Sequence, residues 1–275
     1  MTSAIPAIVD AHVHLWDPRT FRMPWLDGDA VLGHPFELSE FQRASVGLNV
    51  EAIVYVQVDT TPAYGLLEAK WAAARNPAAI VAWAPLEDGQ VARTYLDALV
   101  ETPRIRGVRR LIQSESDPDF PLKLVEGVHL LPEYGLSFDI CIRHDQLART
   151  IDMVRQCSGT DFILDHMAKP PIKAHQLDPW RDQIAELAQL PNVLGCKVSG
   201  AVTEADHERW TPADLEPYIT HVLQAFGEER VLFGGDWPVV THASTYRRWV
   251  ETLASFSTSP KLWRDNARQI YRLDV

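Results

Sequence analysis

Four residues far apart in the chain carry the chemistry of a hydrolytic or metal-binding centre: His12, His14, His166 and Asp236. The first two lie in Val9-Asp10-Ala11-His12-Val13-His14, a largely apolar run. Residues two apart on a strand face the same side, so their imidazoles are expected to project together. Such a pair can hold a divalent cation or polarise a carbonyl oxygen; the other reading is two hydrogen-bonded core histidines. Ile163-Leu164-Asp165-His166-Met167 and Leu232-Phe233-Gly234-Gly235-Asp236-Trp237 each end an apolar run on titratable residues, with a proline soon after that stops regular pairing. An Asp after two glycines often serves as a turn former or cap. Its coincidence with three histidines, all at expected strand ends, favours one shared site.

Bringing these residues together requires elements that converge. Eight short runs rich in Val and Ile read as strands, at residues 8–16, 52–58, 80–86, 105–112, 136–142, 161–167, 193–199 and 231–235. Several are nearly continuous apolar segments, as expected for parallel strands covered on both faces. Stretches of helical period lie between them. Residues 64–75 carry Leu67, Trp71 and Ala74 on one stripe, residues 146–156 carry Leu147, Ile151 and Val154, and Thr211-Pro212 reads as a capped helix start. Strands alternating with helices eight times imply a parallel sheet, and eight strands close a barrel that side chains can fill. The expected fold is therefore an α/β (β/α)₈ TIM barrel in a single domain over residues 1–275. Active sites of this fold gather at the C-terminal ends of the strands. An open doubly wound sheet is the rival, but the G-x-G-x-x-G fingerprint that it often carries after its first strand is absent. The connection at about 17–50 is unusually long and rich in turn dipeptides, and is expected to act as a lid over the mouth or else to form a surface excursion with its own short helix.

Composition excludes other classes. The net charge of −11 and the lack of a Lys/Arg run argue against nucleic-acid binding. No apolar stretch approaches the roughly 20 residues of a membrane span. The first residues lack a signal-peptide pattern, and Cys141, Cys157 and Cys196 show no paired spacing, so a reducing cytoplasm is expected. Nothing in the sequence sets an oligomeric state.

The combination of His-x-His on the first strand, Leu-Asp-His on the sixth and Gly-Gly-Asp-Trp-Pro on the eighth resembles the amidohydrolase superfamily. It is most similar to the amidohydrolase-related branch with sugar lactonases and 2-pyrone-4,6-dicarboxylate lactonase. Asp165-His166-Met167-Ala168-Lys169-Pro170 is similar to that branch's Asp-His-x-Gly-Lys-Pro segment, with Ala168 replacing the Gly. The resemblance implies a hydrolase in which His12, His14, His166 and Asp236 surround the reacting carbonyl of a small aldonolactone of the fuconolactone or rhamnonolactone type. It also implies one divalent cation or none, zinc being the ion suited to a His₃Asp set. Many superfamily members bridge two metals with a modified Lys on strand four and add a His from strand five. Here strand four offers Arg109, strand five contains no His, and His144 comes just beyond it, so a two-metal site is not expected.

Lactone opening needs a water to lose a proton during attack and an alkoxide to gain one on leaving. A single carboxylate can serve both steps, and Asp236 is the candidate. Gln57, Arg109, Lys169 and His144 are candidate donors to the substrate, and Trp16, Trp25 and Trp237 are candidate surfaces for a sugar face. A metal-dependent decarboxylase is the alternative enzyme class, distinguished by needing no water nucleophile. A catalytically silent ligand-binding barrel is a third reading, against which the positioned base argues.

Overall fold

A computed structural model describes residues 5–274 of the chain. Eight strands, β1 (Ile8–Val13), β2 (Val50–Val56), β3 (Ala79–Ala82), β4 (Ile105–Val108), β5 (Ser137–Ile140), β6 (Phe162–Leu164), β7 (Val193–Val198) and β8 (Val231–Phe233), pair in parallel in sequence order. The helices are α1 (Leu38–Ala44), α2 (Gly65–Ala73), α3 (Ala92–Val100), α4 (Phe120–Lys123), α5 (Val125–Val128), α6 (Leu147–Gln156), α7 (Trp180–Ala188), α8 (Pro212–Phe226), α9 (Tyr246–Ala254) and α10 (Asn266–Ile270). This is the expected (β/α)₈ barrel. Every strand of this sheet is shorter than the apolar run that announced it, except β2, which begins two residues earlier and ends two residues earlier. The chain continues past each strand end, so His14, His166 and Asp236 stand just beyond β1, β6 and β8. No helix among the described residues is long and apolar enough to cross a membrane.

Two local features make the barrel close around its chemistry. The first is an irregularity in β1. Asp10 pairs with Ile53 and Val13 with Tyr55, so β1 spends three steps where β2 spends two. Such a bulge re-aims the side chains that follow it. Val9 and Ala11 share an apolar cluster with Val54, Val56, Val81, Ile163 and Leu232, whereas His12 and His14 are the residues that meet the other site groups after the bulge.

The second is the β1–β8 seam. The amide of Asp236 donates to His12 O (2.9 Å) and that of His14 to Trp237 O (2.8 Å). Lower down, the Asp10 carboxylate stands in for missing ladder bonds, accepting from Gly235 N (2.8 Å), His12 N (3.0 Å) and Tyr246 OH (2.8 Å). Burial pushes its carboxyl up to about 7 against the pull of these donors. The paired glycines have opposite reasons. A Cβ on Gly234 would lie 2.8 Å from Ser199 Cβ and 3.0 Å from His12 Cβ, and one on Gly235 would lie 2.3 Å from Asp10 Oδ2 and from the Tyr246 ring.

The helical periods were read with mixed success. Leu147, Ile151 and Val154 are buried on α6, and α8 begins at Pro212 with the Asp214 carboxylate accepting from the Thr211 amide (2.8 Å). On α2 the buried face is Gly65, Glu68, Ala69 and Ala72, and Leu67 is 49% exposed, so the Leu67/Trp71/Ala74 stripe is corrected. The polar Glu68 faces inward because it accepts from Tyr55 OH (2.9 Å), Val58 N (2.8 Å) and Thr60 Oγ1 (3.0 Å). Such multiple bonding offsets the cost of burying a carboxylate. The long connection holds α1 and is tied back by paired bonds between Trp16 and Phe36 (2.8 and 2.9 Å) and by Asp29 with His242 (3.0 Å).

Candidate active site

His12, His14, His166 and Asp236 meet at the C-terminal end of the barrel. Asp236 Oδ1 lies 3.5 Å from His14 Nε2 and 3.9 Å from the Nε2 atoms of both His12 and His166. The Nε2 atoms of His12 and His14 are 3.1 Å apart. All four residues are at most 5% exposed. His166 reaches this point through a backbone turn in which His166, Met167, Ala168 and Lys169 have φ of 52°, 54°, 58° and 48°. Left-handed backbone costs an ordinary L-residue about 1–2 kcal/mol. The turn is held by Trp180 Nε1 donating to Met167 O (2.7 Å) and by Lys169 N donating to His166 O (2.8 Å). Strain kept in place this way is commonly found at working sites.

Electrostatics set the protonation states. Burial lowers His12 and His166 well below the ordinary imidazole value and lowers His14 as well; Lys197, His14 and Arg109 add to the effect at His12. Burial alone would raise Asp236, but His166, His14 and Lys169 hold it below the usual carboxylate value. The centre is one carboxylate among three neutral imidazoles. His14 Nδ1 lies 2.7 Å from Val56 O, which only accepts, so Nδ1 carries the proton and Nε2 presents its lone pair. His166 Nδ1 is 2.8 Å from Ser199 Oγ, and His12 Nδ1 is 3.3 Å from Asp165 Oδ1, so both rings can likewise free Nε2.

These residues fit a single cation. Bonds of about 2.0–2.1 Å in tetrahedral geometry put ligand atoms roughly 3.3 Å apart, near the spacings here, and donor atoms of His12, His166 and Asp236 lie within 4.8 Å of one another. A second cation would meet a charge already present. The buried Arg109 guanidinium sits 3.3 Å from His12 Nε2 and 3.3 Å from Asp165 Oδ2, and also donates to Gln57 O.

Above the centre is a cavity of about 180 Å³ lined by His14, Trp16, Trp25, Asp59, Arg109, Lys169 and Asp236 among others. It is smaller than the roughly 300–1,000 Å³ typical of drug-sized pockets. Trp25, from the long connection, is 40% exposed and donates to Val58 O (2.9 Å). Lys169 lies 3.7 Å from Glu204 at the rim. Gln57 is fully buried and is not in the lining; its Oε1 accepts from Asp59 N. Trp237 is outside the lining too, its ring set against Phe36 and Phe41. His144 opens a short turn after β5, half-buried near Glu204 and away from the lining. Cys141 lines the cavity as a neutral thiol, burial pushing it to about 11.

Sequence reasoning missed the layer beneath. Lys197 Nζ lies 2.6 Å from Asp139 Oδ2, 2.9 Å from Asp165 Oδ1 and 3.3 Å from His12 Nδ1, and Tyr271 OH donates to Asp139 Oδ2 at 2.6 Å. All are fully buried. Burial opposes the charge on Lys197, but the two carboxylates raise it above its ordinary value, so it stays protonated. The available signal was a Lys inside Gly195-Cys196-Lys197-Val198, since a charge in a strand covered on both sides requires a partner.

Relatives match nearly the full length. The amidohydrolase family model matches residues 9–273. The chain is 31% identical to the L-fucono-1,5-lactonase of Burkholderia multivorans, over 96% of each protein, and 23% identical to the L-rhamnono-gamma-lactonase of Scheffersomyces stipitis, again over 96% of each. An amidohydrolase of Burkholderia multivorans crystallised with bound zinc superposes with a TM-score of 0.84 at 27% identity, covering 98% of this chain and all of that one. The barrel, the histidines at its mouth and this end-to-end match agree: the chain belongs to the amidohydrolase family.

Proposed function

We propose that this protein is a lactonase that opens a small sugar lactone, with Asp236 moving both protons. The observation that carries this reading is one carboxylate, 3.5–3.9 Å from the Nε2 atoms of three imidazoles, at the floor of a small cavity. The lactonase relatives support it. Asp236 accepts a proton from the attacking water as the new C–O bond forms. It returns that proton to the ring oxygen as the old C–O bond breaks, leaving a hydroxy acid. Arg109, at the cavity wall, is placed to donate to the developing oxyanion, and each such donor is typically worth about 10²–10³ in turnover. His12, His14, His166 and Asp236 would hold a divalent cation, zinc for this donor set, which when bound supplies Lewis acidity at the carbonyl. Val56 O and Ser199 Oγ hold the rings of His14 and His166, and so fix the direction of their Nε2 atoms toward the point shared with Asp236.

A pH-indicator assay over aldonolactones, with metal analysis and a chelator arm, tests the reading. The expected result is acid release on a hexono- or deoxyhexonolactone. Incorporation of oxygen-18 from water into the product separates this reaction from a decarboxylation, which needs no water nucleophile; CO₂ release without oxygen-18 would replace the lactonase reading.

A further inference from the structure

Just past β2 the chain turns at Asp59, whose φ of 54° is left-handed although the residue is not glycine. The conformation is built in: the Asp59 amide donates to Oε1 of the fully buried Gln57. The Asp59 carboxylate lines the cavity and, among the described residues, has neither a hydrogen bond nor an ion pair. The other charges near the cavity are engaged. Arg109 meets Asp165, Arg110 is held by Glu87 and Glu115 (2.7 Å to each), Lys169 faces Glu204 and Asp236 faces the imidazoles. Burial raises the Asp59 carboxyl, and the charges of Arg109 and Arg110, neither of them paired with it, offset this only in part.

A carboxylate with free lone pairs accepts from hydroxyls and repels other anions. Beside it, Trp25 anchors its indole on the carbonyl of Val58, the preceding residue, and lies edge-on to Trp16 at 5.4 Å. A flat apolar ring next to a two-oxygen acceptor matches a saturated ring with a C–H face and a hydroxylated edge. We propose that Asp59 selects a neutral, polyhydroxylated lactone by accepting hydrogen bonds from adjacent hydroxyls, with Trp25 covering the C–H face of the ring. This rests on the lactonase reading and adds the residue that reads the hydroxyls: hydroxylated rings are favoured, and lactones bearing carboxylates are disfavoured.

The test compares wild type with Asp59→Asn and Asp59→Gly on a hexono-1,5-lactone and on δ-valerolactone, the same ring without hydroxyls. Asn tolerates the left-handed backbone and Gly relaxes it, so both variants are expected to melt within a few degrees of wild type. The expected result is a kcat/KM loss of about 10–100-fold on the hexonolactone, mainly in KM and larger for Gly. That loss exceeds the one on δ-valerolactone at least tenfold. Equal losses on both substrates, or no loss on the hexonolactone, overturn the assignment. A wild-type enzyme that opens none of the aldonolactones of the pH-indicator assay overturns the lactonase reading itself, and this is seen before any substitution is made.

Discussion

His12 touches two buried carboxylates, one at each ring nitrogen, and they differ in what surrounds them. Asp165, 3.3 Å from Nδ1, is flanked by Lys197 and Arg109, which hold it below the usual carboxylate value against the opposing effect of burial. Asp236, 3.9 Å from Nε2, has imidazoles around it and a cavity above. A carboxylate with matched cations is already satisfied and serves to hold things in place. One whose oxygens face neutral imidazoles and open space keeps its capacity to take a proton or a cation. The molecule places a buried ion cluster and the acid proposed to react on opposite sides of one imidazole.

The strongest challenge to that contrast is Asp236→Asn. It is expected to lower kcat on an aldonolactone by roughly 10³-fold or more, with a thermal midpoint close to wild type; normal turnover would remove Asp236 from the chemistry. Lys197→Met should do the opposite. It leaves Asp139 and Asp165 without their shared cation, and breaking a buried pair this way costs about 3–5 kcal/mol, read by chemical denaturation. Unchanged stability would show that the lower cluster is not structural. Ser199→Ala removes the partner that orients His166. Changes to such partners typically cost about 10–100-fold in metal affinity or activity, and zinc titration of the purified protein measures it. The smallest effect is at Ala168, where φ is 58°. Ala168→Gly relieves about 1–2 kcal/mol of left-handed strain and gives back about 0.4–1 through the freer unfolded chain. Stability is expected to rise by up to about 1.6 kcal/mol with kcat unchanged.

The sequence was most legible where chemistry coincides with the end of an apolar run. His166 and Asp236 could be found because a titratable residue ends an apolar run and a proline follows soon after. Lys197 and Asp139 were overlooked because they lie inside such runs, where an apolar neighbourhood hides a charge that only the facing strand explains. The β1 bulge is invisible to alternation: Val9 and Ala11 belong with the apolar bore and His12 and His14 with the site, a change of phase that no spacing rule reveals. Asp59 had no pattern at all, its position depending on a left-handed turn held by Gln57. The α2 stripe failed for a related reason, since Glu68 is drawn inward by three donors supplied by β2 and the segment after it.

The seam joining β1 to β8 carries a consequence for how activity arises during synthesis. Its bonds, such as Gly235 N to Asp10 Oδ1, span 225 positions of chain, and they are what set Asp236 beside His12. A nascent polypeptide halted between His166 and Asp236 has its three imidazoles but not the carboxylate they surround. On the proposed chemistry such incomplete products are inert, and activity waits for the last strand to dock.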